Sequence, residues 1–166
     1  MDGFTRTEIK TSGARIVTAY GGSGPPLLLL HGNPFTHLSW HKFAPRLARE
    51  FTVVATDLRG YGDSEKPPSQ PDHANYSFRA MAQDQVDVMA SFGFTRFMAA
   101  GRKVTLPVQL LWGATGAVGR QNKPAEVWKA YASDIRDAQA MPCGHYLSEE
   151  APEETYAAMR KFFTAG

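Results

Sequence analysis

Cysteine is almost absent from this sequence, and neither sign of charge dominates it. The single cysteine, Cys143, leaves no intramolecular disulfide and no cysteine-rich zinc site, which favours a reducing compartment. Lysine and arginine together number 18, against 16 aspartates and glutamates, and the basic residues are scattered instead of forming a phosphate-binding stripe. No segment approaches the roughly 20 apolar residues of a membrane-spanning helix, and the first residues lack the apolar core of a secretion signal. We therefore expect a cytoplasmic protein that binds neither nucleic acid nor membranes.

The composition is that of an ordinary globular protein, with 43% hydrophobic and 20% charged residues. A length of 166 residues is enough for one domain with a sizeable core and too short for two. We therefore expect a single domain.

A run of four leucines, from Leu27 to Leu30, is bounded by glycines and prolines. It predicts a fully buried parallel strand, because a strand covered on both faces has no polar side to alternate with. A Gly-x-Pro turn follows, made of His31, Gly32, Asn33 and Pro34. Ligands of open α/β sheets bind beyond the carboxyl ends of strands, where free backbone N–H groups can hold a developing negative charge. The turn is a candidate oxyanion site or substrate cleft; the alternative is an ordinary tight turn between a strand and a helix.

Local patterns assign the neighbouring elements. Alternating residues at 8–11 and 15–19 predict a hairpin at one edge of a sheet. A helix that starts near residue 40 is predicted from apolar residues at spacings of three and four, namely Trp40, Phe43, Ala44, Leu47 and Ala48.

A β-branched segment at 52–56 predicts a further strand, and a helix follows it. Ser77 is suited to cap the start of that helix and Gly93 to stop it. The predicted apolar face consists of Phe78, Met81, Ala82, Met89 and Phe92.

Two motifs of this half resemble those of the α/β-hydrolase family. The His-Gly-x-Pro turn at 31–34 is similar to the family's oxyanion turn, and Asp-Leu-Arg-Gly-Tyr-Gly-Asp-Ser at 57–64 is similar to its second signature. In that signature the aspartate braces its loop by accepting backbone N–H groups, and we predict this role, not a catalytic one, for Asp57. The segments 32–41 and 72–82 resemble the haloacetate (fluoroacetate) dehalogenase branch of the family.

The second half of the chain continues the resemblance. Residues 107–113 predict a late strand, residues 125–133 a helix, and residues 143–147 the turn that carries His145. A last helix opens with Pro152 and neighbouring acids, and its predicted buried stripe consists of Tyr156, Met159 and Phe163.

The fold implied by the resemblance is a reduced α/β-hydrolase core. It has a mostly parallel sheet with flanking helices and no cap domain. We expect one truncated domain over residues 1–166, with an N-terminal half at 1–97 and a C-terminal half at 98–166 that carries the histidine.

The nucleophile of this family stands on a Gly-x-Asp-x-x-Gly or Gly-x-Ser-x-Gly elbow, and the sequence contains no such elbow. When Gly101 is aligned with the first glycine of the elbow, Lys103 stands where the aspartate belongs. Residues 99–103 also resemble the segment that precedes the late strand in the dehalogenases. The same residues can therefore be aligned with two different parts of the family's sequence. We infer an internal deletion that removed the elbow, the catalytic acid of this branch and the helical cap. A second acid position, used by related branches after the late strand, holds Gly116.

His145 is then the one catalytic residue of the family that the chain retains. The resemblance implies a general base that activates water; the alternative is a histidine hydrogen-bonded in a turn. We expect no nucleophile, no metal and no cofactor. The predicted function is hydrolysis of the carbon–halogen bond of a haloacetate in the complete enzyme, with activity lost here. The alternatives are a non-catalytic remnant that binds a small molecule or anion, and a relative of epoxide hydrolases or esterases.

The short connection at 97–112 also bears on assembly. A crossover between adjacent parallel strands needs about a dozen residues or more, and this segment has no room for one. One hydrophobic strand edge is expected to stay unpaired, and such edges pair with another chain. We predict a homodimer through this edge, or else a poorly soluble monomer.

Overall fold

The computed structural model describes residues 1–94, 107–121, 123–129 and 132–165. The chain divides into two compact units, Met1–Phe97 and Met98–Gly166. Lys103 and residues 97–106 of the short connection lie outside the described residues. That the two units form one domain, and that a free strand edge drives dimerisation, stay predictions.

The first unit is built on a four-stranded sheet. Its strands in chain order are β1 (Thr5–Lys10), β2 (Arg15–Gly21), β3 (Pro26–Leu30) and β4 (Thr52–Thr56). The spatial order is β1-β2-β4-β3, with β2 antiparallel to both of its neighbours and β3 parallel to β4. This confirms the predicted hairpin, the strand at 52–56 and the parallel pairing of the leucine strand. Because the strands β3 and β4 are parallel, the two motif loops that follow them lie side by side.

The leucine strand is only half buried. Leu27 and Leu29 are buried, Leu28 packs partly buried against the core, and Leu30 is 43% exposed. The prediction of a fully buried strand is therefore wrong. The physical reason is the position of β3, which pairs with β4 alone among the described strands and so lies at an edge of the sheet.

The segment after the leucine strand forms two short helices instead of the predicted continuous one. A 3₁₀ helix covers His37–Trp40, and helix α1 covers Ala44–Leu47. Pro45 lies in the first turn of α1, and its ring has no N–H with which to continue a helix from Trp40. The predicted apolar stripe is nevertheless confirmed at its centre, because Phe43, Ala44 and Leu47 are all buried.

Helix α2 (Phe78–Ser91) follows a second 3₁₀ turn at Ala74–Tyr76. The hydroxyl of Ser77 accepts the N–H of Ala80 at 3.2 Å, which confirms the predicted cap, and Gly93 has a φ of +80° just beyond the helix.

The predicted apolar face of α2 is wrong at its start. Phe78 is 89% exposed, whereas Asp84, Gln85, Val88 and Met89 are the residues that α2 buries. Val88 and Met89 pack on the sheet in one hydrophobic cluster with Ile16 and Val54. The helix can turn Asp84 inward because the carboxylate pairs with the buried Arg59. The hydroxyl of Thr56 donates to Oε1 of Gln85, whereas Nε2 of Gln85 is buried without a partner among the described residues.

The second unit contains a parallel pair of strands, β5 (Val108–Gly113) and β6 (Ile135–Met141). Helices α3 (Ala117–Gln121) and α4 (Pro124–Trp128) connect these two strands. Helices α5 (Leu147–Glu150) and α6 (Pro152–Thr164) follow β6. The predicted late strand is confirmed. The helix expected at 125–133 is shorter than predicted, because it ends at Trp128 and Lys129 lies in a turn.

The core of the second unit consists of Met141, Cys143, Ala151 and Ala158. Helix α6 begins with Pro152 and two glutamates, as predicted, but it buries Thr155, Ala158 and Met159. Tyr156 and Phe163 are only half-buried, so the buried stripe is displaced by one position from the predicted one. Among the described residues, no helix has the length and apolar content needed to cross a membrane.

Candidate functional site

The turn after β3 is held in place by the ring of His31. Nε2 of His31 accepts the N–H of Leu58 at 3.0 Å, and Nδ1 lies 3.0 Å from the carbonyl oxygen of Gly32. A neutral imidazole has one donor and one acceptor nitrogen, so these contacts assign the tautomer with the proton on Nδ1. The ring is 5% exposed, and Tyr61 lies against it edge to face at 5.3 Å. His31 therefore ties the turn to the neighbouring loop and has no nitrogen left for a ligand.

The other three residues of the turn are exposed. Gly32, Asn33 and Pro34 face solvent, and the N–H of Phe35 closes the turn on the carbonyl of Gly32 at 2.8 Å. The peptide bond between Asn33 and Pro34 is cis. Exposed backbone and an amide side chain at the carboxyl end of a parallel strand are suited to contact a small ligand.

Asp57 stands at the end of β4 and is 1% exposed. Its Oδ1 accepts the backbone N–H of His37 at 2.7 Å and lies 2.7 Å from Nδ1 of the same residue, while Oδ2 accepts the N–H of Asp63 at 3.1 Å. This confirms the interpretation of Asp57 as a brace that accepts backbone N–H groups. His37 is buried beside it, and no role for its side chain was predicted from the sequence.

The pKa of Asp57 reflects these contacts. Burial alone would raise it, but the hydrogen bonds from the side chain and backbone of His37 and from the backbone of Asp63 outweigh burial. The pKa falls from the ordinary 3.8 to about 2. The carboxylate is therefore ionised at neutral pH.

The loop around Asp57 also requires glycine at position 62. Gly62 has a φ of +49°, and a Cβ atom there would collide with the carboxylate of Asp57. The glycine of the second signature thus lets the chain close around the brace.

A buried ion pair between Arg59 and Asp84 holds the same loop against helix α2. Nε of Arg59 donates to Oδ2 of Asp84 at 2.6 Å, and Nη2 donates to Oδ1 at 2.8 Å. The remaining guanidinium nitrogen donates to the carbonyl of Asn75 at 2.6 Å. The pair links the loop after β4 to helix α2, and both side chains are almost fully buried. This pair was not predicted from the sequence.

His145 belongs to the second unit, in the turn between β6 and α5. The residue is exposed, and its ring lies edge to face against Tyr146 at 5.3 Å. The carboxylate of Glu150 accepts the N–H groups of Gly144 and Tyr146 at 2.7 and 3.0 Å. The imidazole is thus presented outward from a turn that is held through its backbone.

No described residue supplies a metal site, since no group of three or more histidine, cysteine, aspartate or glutamate side chains converges in the described ranges.

The family model for the alpha/beta hydrolase fold matches residues 25–102 of this chain. A solved structure of a proposed alpha/beta hydrolase from Nostoc sp PCC 7120 is 30% identical, with a TM-score of 0.91 over 98% of this chain and 99% of that one. The chain therefore belongs to the alpha/beta-hydrolase fold family, and its fold is a small α/β-hydrolase core with a mixed sheet and flanking helices.

Among curated proteins, fluoroacetate dehalogenase from a Burkholderia species is 54% identical over 100 residues, which is 60% of this chain and 33% of that protein. A soluble epoxide hydrolase from Corynebacterium sp. (strain C12) is 38% identical over 98 residues, 59% of this chain and 32% of that protein. The matched part of the chain thus spans about a third of the length of either relative.

Proposed function

We propose that this chain is a reduced relative of the haloacetate dehalogenases and that it does not hydrolyse carbon–halogen bonds in this form. The identity of 54% to a fluoroacetate dehalogenase, against 38% to a soluble epoxide hydrolase, favours the dehalogenase branch over the epoxide hydrolases. The observation that carries the loss of activity is the sequence itself, which has no nucleophile elbow and has Lys103 at the corresponding position.

The chemistry explains why this substitution matters. In this reaction class a carboxylate displaces the halide and forms an ester, which a histidine-activated water then hydrolyses. An ammonium group carries no electron pair with which to attack carbon. A lysine in its ordinary charged form therefore cannot take the place of the aspartate nucleophile.

The buried aspartates of the first unit cannot serve instead. Both oxygens of Asp57 are occupied by donors from His37 and Asp63, and the side chain is 1% exposed. Asp84 is fully buried and paired with Arg59. Neither carboxylate can approach a substrate carbon in the folded unit.

The first prediction is that the purified chain releases fluoride or chloride from haloacetates only at the background rate. A halide-selective electrode or ion chromatography measures this, with the intact Burkholderia fluoroacetate dehalogenase as a positive control. Halide release that disappears in the His145→Ala variant would contradict the proposal, because it would show a working site that uses the family base.

A second candidate function, binding of small anions, is favoured by the turn after β3. Gly32 and Asn33 are exposed residues, and within the described part of the chain no acceptor for their backbone N–H groups is found. Such donors at the end of a parallel strand attract negative charge.

The corresponding prediction is weak acetate binding at this turn. Titration with millimolar sodium acetate should shift the amide NMR signals of Gly32 and Asn33, while equal sodium chloride shifts them less and amides of the hairpin β1–β2 do not move. Unchanged Gly32 and Asn33 signals would rule out the anion site.

A further inference from the structure

The turn that presents His145 is spanned by one side chain, that of Glu150. Oε2 of Glu150 accepts the N–H of Gly144 at 2.7 Å, and Oε1 accepts the N–H of Tyr146 at 3.0 Å. These two donors are the residues immediately before and after the histidine. One carboxylate therefore holds the backbone N–H groups of both chain neighbours of His145.

The opposite side of the turn is held by the loop after β5. Thr115 donates both its N–H and its hydroxyl to the carbonyl of Cys143, each at 3.0 Å. A Cβ atom at Gly113 would collide with the carbonyl oxygen of Gly144, so the two loops lie in direct backbone contact. The hydrogen bonds of this anchor go to Cys143, and the hydrogen bond that holds the far side of the histidine comes from Glu150 in α5.

The lowered pKa of Glu150 means that its two hydrogen bonds, here called the Glu150 clamp, persist at neutral pH. The N–H of Gly144, and after it that of Tyr146, hold the pKa of this exposed carboxyl below its usual value, and the neighbouring His145 acts in the same direction. The carboxylate therefore stays ionised, and both of its oxygens keep accepting.

We propose that Glu150 is the positioning residue of His145: its carboxylate bridges the N–H groups on either side of the histidine and thereby sets the direction in which the imidazole is presented. The inference rests on the proposed function only for the identity of His145 as the family base. It implies that the histidine remains positioned in this chain although the nucleophile has been lost.

The test uses the full chain labelled for NMR, in the wild-type form and as Glu150→Gln. Glutamine keeps the size of the side chain but replaces one accepting oxygen by an NH₂ group, so it can satisfy only one of the two donors. We expect hydrogen exchange of the Gly144 or Tyr146 amide to become about tenfold faster, since hydrogen bonds to charged groups are the stronger ones. The order parameter of the His145 amide should fall from about 0.85 towards 0.6 or below.

The matched control is Glu154→Gln, which makes the same charge change in the first turn of α6. It should leave the Gly144, His145 and Tyr146 signals unchanged. A pH titration gives a readout that a purely structural residue would not move. In the wild type, the NMR chemical shifts of the Gly144 and Tyr146 amides should report the titration of Glu150, with a midpoint below 4.5. This titration step should vanish in Glu150→Gln and remain in Glu154→Gln.

If Glu150→Gln fails to fold, Glu150→Asp replaces it, because aspartate keeps the charge but is one methylene too short to reach both donors. Loss of one of the two amide signatures in Glu150→Asp supports the proposal. Unchanged exchange at Gly144 and Tyr146, or an unchanged His145 order parameter, in either folded variant overturns it. Halide release by the wild type would contradict the proposed function alone and leave this result standing.

Discussion

Replacement of Asp84 by alanine is expected to lower the free energy of unfolding by about 3 to 5 kcal/mol. The change leaves the guanidinium of Arg59 buried without its counter-charge. Arg59 is only 4% exposed and Asp84 is 0% exposed, so water cannot take the place of the carboxylate. In the wild type, the hydrogen bonds to Asp84 raise the pKa of Arg59 above its usual value. Without them the guanidinium still keeps its proton, because arginine does not deprotonate in proteins, so the variant buries an unpaired charge.

The loss should reach beyond the ion pair because Arg59 lies in the loop that carries Asp57. The hydroxyl of Thr11 lies 2.5 Å from Oδ1 of Asp84, so the hairpin turn meets the same carboxylate. We therefore expect amide signals of the 57–64 loop and of the 11–14 turn to change together in the variant.

Urea unfolding of wild type and Asp84→Ala measures the effect. Asp87→Ala on the same helix is the control: its carboxylate accepts the N–H of Ser12 in an exposed hydrogen bond, and its loss should cost about 1 kcal/mol. Asp84→Asn, which conserves volume, separates charge from packing. A loss below about 1 kcal/mol in both Asp84 variants would show that the buried pair does not fix the loop.

Features that depend on residues close together in the chain were predictable from the sequence. The strand at 52–56, the Ser77 cap and the Gly93 stop each follow from a local signal, and the role of Asp57 follows from its signature. The inward face of α2 was not predictable in this way. Its partner Arg59 lies 25 residues earlier in the chain, so no helical periodicity can show that Asp84 is satisfied inside.

The candidate site shows the same division. The motifs located the turn at 31–34 and the histidine at 145, because both follow a strand in a recognisable pattern. They could not show that both ring nitrogens of His31 are used by backbone groups, nor that Glu150 returns to the turn it follows. These contacts depend on the directions of side chains after folding. Sequence patterns record spacing, and spacing alone does not determine such directions.

The last prediction concerns acid stability and the brace at Asp57. Its folded-state pKa of about 2 lies below the ordinary 3.8, so ionised Asp57 stabilises the folded state, and this contribution is fully present above about pH 4. A difference of nearly two pKa units corresponds to about 2 kcal/mol. As the pH falls from about 4 to about 2, the carboxylate takes up a proton and the contribution disappears.

Asp57→Asn should therefore be less stable than the wild type by about 2 kcal/mol at neutral pH, and the difference should shrink towards zero near pH 2. Urea unfolding at a series of pH values between 2 and 7 measures both curves. The exposed Asp2→Asn variant is the control, with a change within about 0.5 kcal/mol at every pH. If Asp57→Asn does not fold, the wild-type protein alone is used, and its free energy of unfolding should fall between about pH 4 and about pH 2. A stability difference that stays constant down to pH 2 would show that asparagine loses packing or hydrogen-bond geometry at this position, and that the ionised brace is not what stabilises the loop.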